Sequence, residues 1–299
     1  MEVTKEEQFV EALKRGEPFN LLIKNVLIQW FDTEGIEGDI VVENCIFDNV
    51  VFDSTALDGL VFKNCHIKGC KFKSSGFYDT QFNDCVIEKG DFLNCSLERT
   101  VWDRSEISGT ALTRCSFRKA KFAGQKLQDV KFTYCDFSGT LFKSCCRIYD
   151  VDFLNPYSYG GTSFNENGLS FFDADFRRVG FVKEGKTKNP LPFPLFFSLC
   201  DIEKLHLSGM SFILEVVNSN VADLNLNGCE LYNSQFIETK IMGVRWGETP
   251  CYKLEIKFKE SFLFDINFAH QDLRWVEFAD TELGDTVNLF GAILDNEDD

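Results

Sequence analysis

Histidine is scarce: three in 299 residues, at positions 66, 206 and 270, with no second ligand at a useful spacing. No two cysteines are spaced Cys-x-x-Cys, so the four converging ligands of a zinc site are not legible. No glycine-rich phosphate loop, dinucleotide fingerprint or metalloprotease motif occurs. His66 follows Cys65, but successive residues of an extended chain point to opposite faces, so the two are a poor nucleophile and base. No apolar run is long enough to span a bilayer, and the N-terminus has no secretory leader pattern. These absences lead us to expect no catalytic residues, no metal, no cofactor and no membrane span.

What is present is a period of five. From Val42 to Phe142 every fifth residue is a large apolar one, through Phe47, Phe52, Phe62, Phe72, Phe82, Phe92, Trp102, Phe122 and Phe132 among others. Two residues before each stands a small one, such as Cys45, Thr55, Cys65, Ser75, Cys85 or Gly90, with Leu60 and Gln125 as departures. Neither a helix, with period 3.6, nor a flat strand, with period 2, has this repeat. Two inward residues per five describe a chain that turns a corner at fixed intervals. Four such sides close a coil of twenty residues, and coils stack at about 4.8 Å into one continuous core.

Segments such as Cys135-Asp136-Phe137-Ser138-Gly139 and Cys115-Ser116-Phe117-Arg118-Lys119 resemble the pentapeptide-repeat family, whose motif is a small residue, Asp or Asn, Leu or Phe, then two variable residues. The resemblance covers roughly residues 40–290 and implies an all-β, right-handed quadrilateral β-helix. Ile46, Val51, Val61 and Val86 depart from the Asp/Asn position; the inward pair that carries the fold is kept.

Residues 1–40 show no five-residue frame. Thr4-Lys5-Glu6-Glu7 reads as a capping box, and Phe9, Val10 and Leu13 share a helical face, so residues 4–15 are expected to form a helix that covers the first coil. The exposed edge of a β-helix needs such a cap. The β-helix is expected over residues 41–290. After Phe142 the frame slips: Arg147 takes the next core slot and Phe153 comes one residue late. The frame returns as Phe171, Phe176 and Phe181, and again at Phe197. Turn-rich sequence around 154–163 and the proline-rich stretch 183–195 are expected to be loops extruded from the coil. Residues 291–299 read as an acidic tail.

Twelve cysteines invite a disulfide reading. Ten fall at the small inward position, only Cys146 and Cys251 lying outside it. Cys45, Cys65 and Cys85 are expected to stack on one side, and Cys95, Cys115 and Cys135 on the opposite one. Parallel Cβ vectors in such a ladder keep the sulfurs from bridging, so free, buried thiols and a cytoplasmic site of action are expected. Delivery into a host cytosol by a signal-less route is compatible with this.

Net charge is −16, distributed as −9 over residues 1–61 (13 acids, 4 bases), +5 over 62–145 (9 acids, 14 bases), −4 over 146–269 and −8 over 270–299. The resemblance brings a specific expectation, because some family members that confer quinolone resistance act as DNA mimics at gyrase. A DNA mimic needs a continuous anionic track, which the basic stretch with Lys121, Lys126 and Lys131 interrupts. Those lysines fall on three successive sides, so no nucleic-acid stripe forms either. The expected function is a non-catalytic solenoid that binds another protein, as scaffold, inhibitor or effector module, with mimicry of DNA at a type II topoisomerase as the alternative. The expected binding segment is the apolar, proline-stiffened run Leu191–Phe197, with Pro192, Phe193, Pro194 and Phe196 as contact residues.

Overall fold

In a computed structural model the described residues are 2–16, 18–33, 40–157, 168–183, 192–246 and 254–294. They form an all-β parallel solenoid with one helix, Glu6–Lys14. Between residues 40 and 145 each side is a three-residue strand whose central residue points inward, as in Gln81-Phe82-Asn83 and Val86-Ile87-Glu88. Strands pair with their equivalents one coil away: Phe62 aligns with Phe82, and Phe82 with Trp102. Amides of one coil donate to carbonyls of its neighbours, as from His66 to Cys45 and Val86 to Cys65, both at 2.9 Å. One side of the coil makes a twelve-stranded sheet; two others make a nineteen-stranded one. The fourth is held by isolated bridges, such as Ala56 to Gly76 and Gly76 to Ser96.

The corners explain which residues follow each inward one. The second residue after the centre takes a left-handed conformation, for example Asn44, Asn49, Asn64, Asp84 and Asn94. Asn and Asp tolerate that region better than other side chains. Arg99 and Arg104 adopt it too, and each then reaches the Asp at the same corner one coil earlier, Asp79 at 2.7 Å and Asp84 at 2.9 Å.

Inside, like stacks on like. Behind the twelve-stranded face runs an aromatic column with centroid spacings of 5.1 Å (Phe62–Phe82), 4.1 Å (Phe82–Trp102), 5.6 Å (Trp102–Phe122), 4.2 Å (Phe122–Phe142), 4.9 Å (Phe142–Phe171) and 5.2 Å (Phe171–Phe197). Cysteines stack likewise. Each thiol donates to a carbonyl of the preceding coil, Cys65 to Val42 at 3.2 Å and Cys135 to Leu112 at 3.3 Å. All the described cysteines are free.

Several expectations need correction. The coil begins before residue 40: Leu22–Lys24 and Leu27–Gln29 pair with Ile46–Asp48 and Val51–Asp53. The inward residues Leu21, Ile23, Val26, Ile28 and Phe31 keep the period of five. The register of 24 residues from Leu22 to Ile46 places four extra residues before Val42, and these hid the repeat. The helix N-cap is Lys5, not Thr4. Gln8, rather than Glu7, closes the box, its side-chain oxygen accepting from the amides of Thr4 and Lys5 at 3.0 and 3.2 Å. Phe9 enters the first coils edge-on to Phe47 at 5.7 Å, and Glu6 accepts from the exposed edge amide of Gln29 at 2.9 Å. Cys146 is buried and Cys145 exposed, the reverse of the expected phase. The register grows from 20 residues at Ala123–Lys143 to 21 at Lys126–Arg147. Ser144 and Cys145, both left-handed, absorb the extra residue, so that Ile148, not Arg147, fills the core.

Later coils are longer. Cys146 aligns with Ala174, 28 residues on, and Leu169 with Leu195, 26 on. Most of both expected loops, 158–163 and 184–191, lies outside the described residues, as do 295–299 of the expected tail. The coil continues past 290, where Ile293 bridges to Asp272.

Phe92 is buried, stacked on Phe72 at 4.4 Å, in a rung held from both sides. Phe92→Ala is expected to cost about 3–5 kcal/mol, while Asp91→Ala, one residue away on the exposed face, should cost less than about 0.5 kcal/mol. Denaturant melts of the two variants check this, and equal losses would contradict the inward assignment.

Candidate protein-binding face

The run proposed to bind does not form a loop. Phe193–Ser198 is a strand of the twelve-stranded sheet, between Leu169–Phe172 and Ser211–Val217. Phe193 is buried in the core and Pro194 is buried too, so neither is available as a contact residue. Pro192 and Phe196 are half-exposed. Period-two alternation within the strand separates them: Phe193, Leu195 and Phe197 point inward, Phe196 outward.

Phe196 meets an aromatic that sequence reasoning passed over. Phe172 of the adjacent strand is 39% exposed and lies 5.0 Å from it, centroid to centroid. In register with Phe196 and Ser170 on the same face stands Leu141, half-exposed. Leu199, at the following corner, is 63% exposed. The signal was in the frame: Phe172 directly follows the inward Phe171, and Phe196 directly precedes the inward Phe197, so both occupy outward slots where the frame calls for no large apolar residue.

Charge divides around this patch. Lys121 aligns with Leu141, and Lys143 with Ala123; both lysines are exposed. On the other border Glu215 aligns with Phe196, and burial raises its carboxyl above the ordinary range. Asp173 accepts from the Cys145 amide and thiol, both at 3.2 Å.

The acidic end is less anionic than its composition. Arg274 hydrogen-bonds Asp272 at 2.7 Å and holds its carboxyl at about 2. Lys257 pairs with Glu277 at 2.7 Å.

Among the described residues no three or more His, Cys, Asp or Glu side chains converge as metal ligands. His66 points away from buried Cys65 and meets Glu88 at 3.2 Å. Burial lowers the His206 pKa, against a smaller opposing effect of Asp152. No described helix is long and apolar enough to cross a membrane.

Residues 105–143 match the sequence profile of the pentapeptide repeats, in eight copies, and this is the stretch where the coil is most regular. The chain is a pentapeptide-repeat protein. No curated protein matches it in sequence. Its coil overlaps that of HetL, a pentapeptide-repeat protein involved in heterocyst differentiation regulation in the cyanobacterium Nostoc sp. strain PCC 7120. That match has 13% identity and a TM-score of 0.38, over 87% of this chain and 93% of that one. A trypsin-treated form of QnrB1, a plasmid-mediated fluoroquinolone resistance protein, matches at 15% identity and a TM-score of 0.34, over 89% and 92%. The catalytic domain of Agl-KA matches at 10% identity and a TM-score of 0.39, over 97% of this chain and 64% of that domain. Overlaps at this level carry no argument about activity or partner.

Thiol chemistry separates the cysteines of this pentapeptide solenoid. Burial pushes Cys70 up to about 11 and Cys200 up to about 12, so both are neutral and enclosed at neutral pH. Cys145 is exposed, though Asp173 beside it raises its thiol as well. Thiol titration of native protein is expected to label Cys145 ahead of the buried ladders, which should react only on unfolding. Ladder cysteines labelled as fast as Cys145 would contradict the packing described.

Proposed function

We propose that the protein is a non-catalytic solenoid that binds another protein through its twelve-stranded face. The observation that carries this reading is the contact of Phe172 with Phe196 on the outside of a rigid sheet whose other outward positions are largely polar. A solenoid face is pre-ordered, so little conformational entropy is lost on docking. Exposed aromatic side chains in contact are the usual anchors of such interfaces. The binding segment named from sequence narrows to Phe196, with Pro192 at its edge. The buried thiols support a reducing, cytosolic site of action.

DNA mimicry at a type II topoisomerase such as gyrase is the alternative, and the acidic termini motivate it. Pairing of Asp272 and Glu277 with cations and the basic stretch 62–145 weigh against a continuous anionic track. Replacing Phe172 and Phe196 together by Ser is expected to weaken capture of the cellular partner by about 2–4 kcal/mol. Reversing Asp280 and Glu282 should leave capture nearly unchanged. Quantitative pull-downs from the source cell with both variants test this. Loss only on reversal of the acids, accompanied by inhibition of gyrase supercoiling by the wild type, would favour the alternative.

A further inference from the structure

Resting on the protein-binding reading above, we propose that the twelve-stranded face takes an acidic protein segment, with its carboxylates against Lys121 and Lys143 and an apolar side chain on Phe172 and Phe196. Six cations stand on this face. Lys63 pairs with Glu43, Arg104 with Asp84 and Asp103, Lys257 with Glu277, and Lys259 with Glu260. Lys121 and Lys143 form no ion pair with any described residue. The two unneutralised cations are thus those adjoining the exposed aromatic pair. Between them the small side chain of Ala123 leaves a shallow depression, lined also by Val101 and Arg104, where a partner's carboxylate can approach both ammonium groups.

The borders give the ligand a direction. Lys143 aligns with Ala123 on one side and lies one coil before Phe172, while Glu215 aligns with Phe196 on the far side. A segment lying along the face therefore places its acids toward the N-terminal coils and its apolar anchor toward the C-terminal ones; the reverse orientation would set acid against Glu215. Such complementarity fixes register and rejects wrong partners. A nucleic acid or an anionic bilayer is disfavoured. Each needs many free cations, whereas this face offers two on a chain of net charge −16.

The test is selection from a random-peptide display library on the immobilised full chain, followed by affinity measurement of enriched peptides across a salt series. The wild type should enrich sequences that combine Asp or Glu with an aromatic or aliphatic residue. Lys121→Glu with Lys143→Glu should weaken those peptides by about tenfold or more, and Phe172→Ser with Phe196→Ser should abolish binding. Thermal melts matching wild type confirm that the exposed substitutions leave the fold intact. Enrichment of uncharged apolar sequences, lost in the aromatic variant but unaffected by charge reversal, would overturn the acidic partner and leave the protein-binding face standing. Enrichment indifferent to both variants, no enrichment at all, or tighter binding of a single-stranded oligonucleotide than of any peptide would overturn both.

Discussion

The structure depends on one constraint: the backbone hydrogen bonds that tie each residue to its equivalent one coil away. Once that register is fixed, every side chain must stack on the same position of the next coil, about 4.8 Å distant. A column therefore works only if its members tolerate each other. Aromatic rings do so by offset stacking, cysteines by donating to the carbonyls of the preceding coil, and corner charges by alternating in sign, as in Asp84 and Arg104. Gln125 shows the cost of a misfit. It stands in the column of Cys85, Ser105 and Cys146, is buried, and neither of its amide atoms finds a partner among the described residues. An unmet amide costs about 1–3 kcal/mol. The next coil departs from the twenty-residue register at this level, taking up its extra residue at Ser144–Cys145.

Separate faces carry fold and function. The inward pair of each side builds the core, and the outward positions are left to other demands. Most are met locally by ion pairs between successive coils. The exceptions gather on the twelve-stranded face, where Phe172, Phe196 and Leu199 are exposed beside Lys121 and Lys143. No deep cleft is needed for such a surface to act: flatness and rigidity favour an extended ligand laid across several coils.

The inward ladder was legible in the sequence because its period matches no helix or flat strand. The frame located Phe92, Trp102 and Phe142 in the core, and Cys65 and Cys135 in their ladders. Illegible were the places where one coil differs in length from the next. Four extra residues before Val42 concealed the first coil, and a single one at Cys145 inverted the phase of the cysteine pair. The candidate face was half legible. Proline-rich composition drew attention to Pro192–Phe197, yet composition cannot tell that period-two alternation buries Phe193 and leaves Phe196 outside. Phe172 and Lys143 join Phe196 only through contacts between coils, which no local pattern encodes.

The central claim is that hydrogen bonding from coil to coil, and not contacts within each coil, holds residues 40–145 together. Native-state hydrogen exchange, resolved by residue, tests it most directly. Amides bonded to the neighbouring coil, such as those of His66, Val86, Asp91 and Val101, should exchange slowly and with similar protection. They should do so even though their side chains point outward, because they open only with global unfolding. Fast exchange at these amides, with protection confined to the inward Phe and Ile residues, would contradict the account.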